Sequence, residues 1–334
     1  MSASPLKMST PGENHFSTVP TEYTFDKNSH MNTNKQAISF KSNGLNIAGI
    51  LHLPVATDQP TAAIVIGHPG SGVKEQTAGL YAQLLAEKGF ITLTFDAGYQ
   101  GASEGLPRGL EDPAQRTEDF KSAVSFLHTL ARVDTNKIAV LGICASGGYV
   151  INAAAADLRI RAVVTVIAAD IARQFKKGGD GKQDPAVFQG MLSIAAADRT
   201  LVAKGEEPGT FPLFPATKKE AEALDQHNYE GWEYYCTDRG QHPRSAKVLT
   251  WNSVDRIATF DAFAFVNQIS PRPLLMITGS KAVTRWMTEE AYNAAGAPKE
   301  LLNIEGASHM ALYDELQYVT QAVDKTASFL NSAL

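Results

Sequence analysis

The chain contains few cysteines, no long apolar run and no excess of basic residues. Cys144 and Cys236 are its two cysteines, too few for a disulfide framework and without the spacing of a structural zinc site. No apolar stretch approaches the roughly 18 residues of a membrane span. The formal net charge is −5 and the pI about 5.9, so no basic surface for nucleic acid is expected. These absences predict a cytoplasmic globular protein that binds neither membrane nor nucleic acid and holds no metal.

Residues 1–34 differ in composition from the rest of the chain. They are polar and rich in Ser, Thr, Pro and Asn, and they lack the apolar segment of a secretory signal. Such a stretch cannot bury enough apolar surface to fold, which predicts a disordered leader. The tripeptide Ser29-His30-Met31 also resembles a cloning-site remnant. The segment is therefore expected to be either a native leader or a remnant of cloning.

From residue 35 onward, short apolar runs alternate with amphipathic stretches of about 12 to 20 residues. The first two runs, split by a Ser-Asn-Gly turn, are typical of a hairpin. The later runs are predicted to be strands at residues 61–67, 90–95, 137–141, 161–168, 273–278 and 300–304. Alternating strands and helices predict an α/β fold, with a mostly parallel sheet covered by helices on both faces. We assign residues 35–169 and 271–334 to this core.

The alternation breaks between residues 170 and 270. This stretch contains helical patterns near 185–204 and 218–225 and an aromatic segment at 229–236, but no clean strand. It is too long for a connection and too irregular for a second α/β unit. It is predicted to be a mainly helical cap inserted into the core.

Residues 137–148 read KIAVLGICASGG, an apolar run followed by small residues and then by an alanine-rich helical stretch. A strand, a tight turn and a helix in that order form the context of a nucleophile elbow, in which the residue at the bend carries the reactive side chain. Cys144 stands at that bend. The N-terminus of the following helix favours a thiolate there. Ser146, two residues later, is expected to cap the helix instead.

A nucleophile needs a base, and His309 has the best setting for that role. It follows the last predicted strand, and the carboxyl ends of parallel strands converge on the edge to which the elbow also points. The order nucleophile before histidine is that of an α/β-hydrolase triad. Five other histidines are expected at the surface or in loops: His30, His52, His128, His227 and His242.

The loop 68–72, HPGSG, follows the strand expected beside the elbow. Its small residues leave backbone N–H groups free to point into a cleft, so Gly70 or Ser71 could bind an oxyanion together with the N–H of Ala145. Further candidates for lining the substrate pocket are His68, Tyr99 and Ser103.

Five segments together resemble the α/β-hydrolase superfamily: GHPGSGVKEQ (67–76), FDAGYQGASEG (95–105), LGICASGG (141–148), SPRPLLMITGS (270–280) and EGASHM (305–310). The chain is most similar to the branch near dienelactone hydrolase, which has a Gly-x-Cys elbow, and to uncharacterised bacterial hydrolases and fungal polyketide thiohydrolases and transferases. The resemblance extends from about Lys35 to the C-terminus. It implies acyl-transfer chemistry on a small-molecule ester, lactone or thioester, without a cofactor.

The sequence departs from this family at one position. Relatives usually place an acid just after the strand predicted at residues 273–278, where this chain has Val283. A valine cannot orient His309 or stabilise its protonated form. Three hypotheses remain: an acid elsewhere substitutes, with Asp170 the best candidate; a cysteine nucleophile depends less on the acid than a serine does; or the protein is impaired.

The sequence thus predicts a hydrolase in which Cys144 attacks an acyl carbonyl and His309 is the general base. The alternatives are an acyltransferase of the same mechanism, or a weakly catalytic binding protein on the hydrolase scaffold. The substrate is not predicted, and assembly into a homo-oligomer is left open.

Overall fold

A computed structural model of the protein describes residues 34–54 and 59–334. Apart from Asn34, which begins the first strand, the predicted leader lies outside the described residues. The ten strands of the described part are β1 (Asn34–Ser42), β2 (Leu45–Leu53), β3 (Thr61–Gly67), β4 (Ile91–Phe95), β5 (Val133–Ile143), β6 (Ala162–Val166), β7 (Thr210–Pro212), β8 (Val248–Thr250), β9 (Leu274–Gly279) and β10 (Lys299–Ile304).

The helices follow the predicted alternation. In the described part they are α1 (Thr77–Glu87), α2 (Pro113–Leu127), α3 (Ser146–Ala156), α4 (Ile171–Lys177), α5 (Pro185–Ala203), α6 (Lys218–Leu224), α7 (Gln226–Cys236), α8 (Asn252–Ala258), α9 (Arg285–Ala294), α10 (Ala311–Asp314) and α11 (Leu316–Ala333). None of these helices combines the length and hydropathy that a membrane crossing requires.

Eight strands form one sheet in the order β1-β2-β4-β3-β5-β6-β9-β10. The β1–β2 hairpin is antiparallel and pairs antiparallel with β4, and all the remaining pairs are parallel. The fold is therefore the predicted α/β-hydrolase architecture. β5 lies in the middle of the sheet, so the residues after its carboxyl end are flanked by the loops that follow β3 and β6.

Alternate strand residues pack on opposite faces of the sheet. Val65 and Val140 belong to one buried cluster with α2, α3 and α9, whereas Ile66 and Leu141 belong to a second cluster with α1 and α11. Period-two alternation of side chains in an extended chain produces this division. Because both faces are buried, the strands are nearly continuous apolar runs, as the sequence predicted.

The C-terminal helical region is divided in two. The sequence pattern of residues 310–330 predicts one closing helix, but Glu315 has an extended backbone and separates α10 from α11. In a continuous helix the carbonyl of Leu312 would accept a hydrogen bond from a later backbone N–H. It accepts one from the hydroxyl of Tyr81 instead, at 2.9 Å. The break leaves Tyr313 on a short separate turn.

The segment 170–270, which we call the cap, contains α4 to α8 and the small antiparallel pair β7–β8. Its own apolar cluster includes Phe188, Phe211 and Leu249. The strands β7 and β8 have three residues each, too short for a sequence pattern to reveal.

Candidate active site

Cys144 stands between the end of β5 and the start of α3, with a φ of 54°. This left-handed conformation is uncommon for a residue with a side chain and costs of the order of 1–3 kcal/mol. It is held by hydrogen bonds on both sides: the Cys144 N–H donates to Val166 O (3.0 Å), and its carbonyl accepts from Gly147 and Ala169. The turn thus lifts the side chain of Cys144 out of the sheet, as an elbow requires.

The glycines around the elbow are required by close backbone approaches. A Cβ atom on Gly142 would lie 2.1 Å from the carbonyl oxygen of Ser146. A Cβ on Gly147 would lie 2.7 Å from the Cα of Ala168. Any larger residue would push α3 away from β5 and β6, so the GICASGG sequence is the local cause of the turn.

The loop after β3 supplies the second side of the site. Gly70 and Ala145 both line the same cavity as Cys144, and their backbone amides approach the sulfur and favour its anionic form. The predicted oxyanion donors therefore lie together. Ser71 also lines the cavity, but its φ is 57° and its buried hydroxyl has no hydrogen-bond partner among the described residues.

His68 was expected to line the substrate pocket, but it is not part of the cavity lining. Its ring instead stabilises the loop 68–72 through buried hydrogen bonds. Its Nδ1 donates to Pro69 O (2.7 Å), while Nε2 accepts from the N–H of Ala97 (3.2 Å). The buried guanidinium of Arg116 approaches Nε2 at 3.0 Å. Burial, and next the charge of Arg116, lower the pKa of His68 well below its usual value. His68 is thus a neutral structural residue.

Ser146 does not cap α3 as expected. The N-cap residue is Ala145, and no side chain caps this helix end. The hydroxyl of Ser146 donates to His68 O at 2.5 Å and accepts from Arg116 at 3.3 Å. Ser146 therefore links the elbow to the loop 68–72.

His309 lies in the loop between β10 and α10, almost fully buried at 1% exposure, and lines the cavity with Cys144. Its Nδ1 is hydrogen-bonded to Oγ1 of Thr284 at 2.5 Å. Its Nε2 is hydrogen-bonded to the hydroxyl of Tyr313 at 3.1 Å. Both ring nitrogens therefore have a hydroxyl partner, and in the described structure neither is bonded to a carboxylate.

A second histidine packs against the first. His227, on α7 of the cap, meets His309 edge to face with ring centroids 5.2 Å apart. Burial, and to a smaller extent the proximity of His227, hold the pKa of His309 well below its usual value. Burial also lowers the pKa of His227, against the opposing effect of Asp225 and Glu230. The site thus keeps His309 neutral, the form in which an imidazole can accept a proton.

The thiol of Cys144 is neutral as well. Burial raises its pKa, and this outweighs the opposing contributions of the Tyr313 hydroxyl, the amides of Ala145 and Gly70, and the charge of Arg116. A neutral thiol beside a neutral imidazole requires proton removal during attack, in contrast to a preformed thiolate–imidazolium pair.

Asp170 does not act as the substitute acid, so that hypothesis is wrong. Its Oδ1 caps α4 by accepting from the N–H groups of Ala172 (2.8 Å) and Arg173 (3.2 Å). Its Oδ2 accepts from the N–H of Ala262 at 3.1 Å and pairs with the Arg173 guanidinium. Asp170 follows a strand at the right edge, but both its oxygens are used to start the cap.

Val283, at the position of the expected acid, lines the cavity and is 38% exposed. The next residue, Thr284, is fully buried and makes the contact with His309. The orienting group is thus displaced by one residue along the chain and is a neutral hydroxyl.

The cavity between cap and core has a volume of about 860 Å³. Two further predicted pocket residues are not part of its lining: Ser103 donates to Asp96 O at 2.6 Å, and Tyr99 makes backbone hydrogen bonds within its loop. The apolar part of the cavity lining consists mainly of Ile171, Phe175, Met191, Phe211, Phe214, Leu249 and Met310. Amide side chains line it too: Gln174, Gln183, Gln226 and Asn228.

Three residues of the site escaped sequence analysis. Thr284 carried no signal, because a threonine before a helix is ordinary. Tyr313 was treated only as part of the helix predicted for residues 310–330, and His227 was expected at the surface or in a loop. His52 was also misplaced, since it is 1% exposed on β2. Among the described residues, no group of three or more His, Cys, Asp or Glu is arranged to hold a metal ion.

The chain belongs to the Alpha/beta hydrolase family, whose model matches residues 64–322. Both the fold and the relatives support a hydrolase. The chain is 38% identical over 308 residues to the uncharacterized protein YcjY of Escherichia coli strain K12, covering 91% of this chain and 100% of that protein.

Its fold is similar to the crystal structure of the hypothetical protein PA2218 from Pseudomonas aeruginosa, with a TM-score of 0.85 at 36% identity over 92% of this chain and 95% of that one. A more distant relative is thiohydrolase apmlB of Arthrinium phaeospermum, 27% identical over 57% of this chain and 61% of that protein.

Proposed function

We propose that the protein hydrolyses an ester or thioester of a small molecule through an acyl-enzyme on Cys144. The observation that carries this proposal is the convergence on one cavity of a cysteine at a left-handed elbow, two backbone amides near its sulfur and a buried neutral histidine. The similarity to a fungal thiohydrolase supports a thioester among the substrates.

In the proposed reaction, Sγ of Cys144 attacks the acyl carbonyl carbon while the thiol proton passes to His309. The carbonyl oxygen becomes an oxyanion that the N–H groups of Gly70 and Ala145 stabilise, a contribution of about 3 kcal/mol per donor in comparable sites. Collapse breaks the bond to the alcohol or thiol leaving group, which takes the proton from His309. Water then attacks the thioester, with His309 again accepting and returning a proton.

Neither ring nitrogen of His309 is bonded to a carboxylate among the described residues, and this fits a cysteine nucleophile. A carboxylate beside a catalytic histidine stabilises the imidazolium that forms. Thr284 can orient the ring but cannot supply that charge, so His309 is a weak base. A thiol gives up its proton more readily than an alcohol and needs a weaker base. Of the hypotheses raised by Val283, we therefore favour the reduced dependence of cysteine on an acid.

The test is hydrolysis of a panel of nitrophenyl esters and acyl thioesters of increasing chain length by the full chain. We expect turnover by the wild type and none above the buffer rate by Cys144→Ala. Equal inactivity of both proteins, with ligand still binding in the cavity, would instead support the binding-protein alternative. Product analysis with an added alcohol separates hydrolysis from acyl transfer.

Removal of the Thr284 hydroxyl is expected to weaken catalysis without unfolding the protein. Thr284→Val preserves the shape but leaves Nδ1 of His309 without its partner in a buried site, a loss of about 1–3 kcal/mol, or roughly 5- to 160-fold in kcat/KM. Thr288→Val is the matched control, because Thr288 is also buried on α9 but donates to Ala168 O at 3.1 Å. Equal activity losses in the two variants would contradict the role of Thr284.

The pH dependence of kcat/KM follows from the pKa of His309. A lowered pKa means that the neutral base persists as the pH falls below 6.5, the usual value for histidine. We therefore expect kcat/KM to keep its plateau value as the pH falls through 6.5 and to decline only at lower pH. An acid limb centred at pH 6.5 or above, measured with a substrate that does not itself titrate, would refute this expectation.

A further inference from the structure

The contacts of His309 leave open how the proton of Cys144 reaches it. Each ring nitrogen is hydrogen-bonded to a hydroxyl, Nδ1 to Thr284 and Nε2 to Tyr313. The sulfur of Cys144 is not among the ring's hydrogen-bond partners in the described structure. A direct transfer from sulfur to imidazole would first require Tyr313 to move aside.

The hydroxyl of Tyr313 is also beside the sulfur. Its hydrogen-bonding effect lowers the pKa of the Cys144 thiol, against the larger effect of burial, and both residues line the cavity. Tyr313 follows His309 by four residues and is 1% exposed, packed edge to face against Tyr234 and Tyr235. The break between α10 and α11 and this aromatic packing hold the phenol between nucleophile and base.

The tautomer of neutral His309 sets the direction of its two hydrogen bonds, and one of the two tautomers permits a proton relay. If Nδ1–H donates to Thr284 Oγ1, then Nε2 carries no hydrogen and accepts the O–H of Tyr313. The phenol oxygen is then free to accept the S–H of Cys144. We propose that Tyr313 is a catalytic residue that relays the proton between Cys144 and His309, which rests on the proposed function of Cys144 as nucleophile.

The relay conserves protons both when Cys144 attacks and when the tetrahedral adduct collapses. As the S–C bond forms, the S–H bond breaks and its proton moves to Oη of Tyr313, while the original phenol proton moves to Nε2. The products are the tetrahedral adduct, a neutral tyrosine and an imidazolium. On collapse, Nε2–H returns a proton to Oη and the phenol gives its own to the leaving group. Burial raises the pKa of Tyr313 well above its usual value, so the two transfers occur together, without a tyrosinate.

Alkylation of Cys144 by iodoacetamide tests the relay without any acyl substrate. The rate is followed from pH 5 to 10 by mass spectrometry of the peptide that contains Cys144, in the wild type, Tyr313→Phe, His309→Ala and the double variant. Tyr292→Phe is the control, because it removes a partly buried phenol on α9 that is outside the cavity lining and away from the break between α10 and α11.

We expect Tyr313→Phe to lower the alkylation rate at pH 7 by about tenfold or more, a modest part of what a positioned base supplies. His309→Ala should lower it to a similar extent, and the double variant should lose no more than either single one, because both break one path. Tyr292→Phe should retain the wild-type pH profile. If Tyr313→Phe folds poorly, 3,5-difluorotyrosine at position 313 keeps the ring but acidifies the phenol, and we expect it to shift the profile.

A wild-type profile in Tyr313→Phe, losses that multiply in the double variant, or no shift with the fluorinated tyrosine would overturn the relay. These results are separable from a failure of the proposed function. Cys144-dependent hydrolysis with an unchanged alkylation profile would reject the relay alone. If the alkylation rates show the expected shared loss in the Tyr313 and His309 variants, but the protein hydrolyses no substrate, the proposed function is rejected and the relay is retained.

Discussion

Cys144→Ser is expected to lose about 10⁴-fold in kcat/KM on the best ester of the panel, although it changes one atom of the side chain. Removing the acid from a Ser-His-Asp triad costs about this much. Here His309 has Thr284 in place of a carboxylate, so a serine at position 144 would face the same deficiency without the easier ionisation of a thiol.

Steady-state kinetics on purified variants will measure this loss. Cys236→Ser is the matched control, since Cys236 lies at the end of α7 outside the cavity lining and should retain full activity. A Cys144→Ser variant with more than a tenth of the wild-type activity would show that the site supports a serine, and hence that an acid has been overlooked.

His309→Ala is expected to reduce kcat/KM by about 10²- to 10⁴-fold, the usual contribution of a positioned general base. The substitution opens a space beside Cys144 and Tyr313, so added imidazole should restore part of the activity. Titration of kcat/KM against imidazole concentration will measure this rescue.

His128→Ala provides the control for loss of a histidine as such. His128 caps the end of α2, away from the cavity lining, and its removal should leave kcat/KM near the wild-type value with no response to imidazole. Full activity in His309→Ala would exclude the proposed base.

The orienting group of His309 explains why the missing acid could not be resolved from the sequence. Asp170 and Thr284 both follow strands that end at the catalytic edge, and a carboxylate is the more natural partner for an imidazole. The fold uses Asp170 to cap α4 and to pair with Arg173, which leaves it no free oxygen. Which of two polar side chains reaches a ring is decided by packing, and that information is spread over several elements.

The contacts of His68 and Ser146 could not be predicted from the sequence either. Both are polar residues in motifs that belong to the site: His68 was expected to line the pocket and Ser146 to cap α3. Each instead contacts Arg116, a buried cation in the first turn of α2 that also pairs with Glu111 at 3.3 Å. A contact between residues about thirty to fifty positions apart leaves no local pattern in the chain, so its effect on the loop 68–72 appears only in three dimensions.

The sequence by itself determined the parallel sheet, the elbow at Cys144 and the position of His309. Those features depend on short-range physics: period-two burial, small residues where backbones approach, and the convergence of parallel strands at one edge. Only the tertiary structure decided the partners: Thr284 on Nδ1, Tyr313 on Nε2 and His227 against the ring. These contacts depend on how a broken helix and a cap pack onto the core, which is a property of the whole chain and of no single segment.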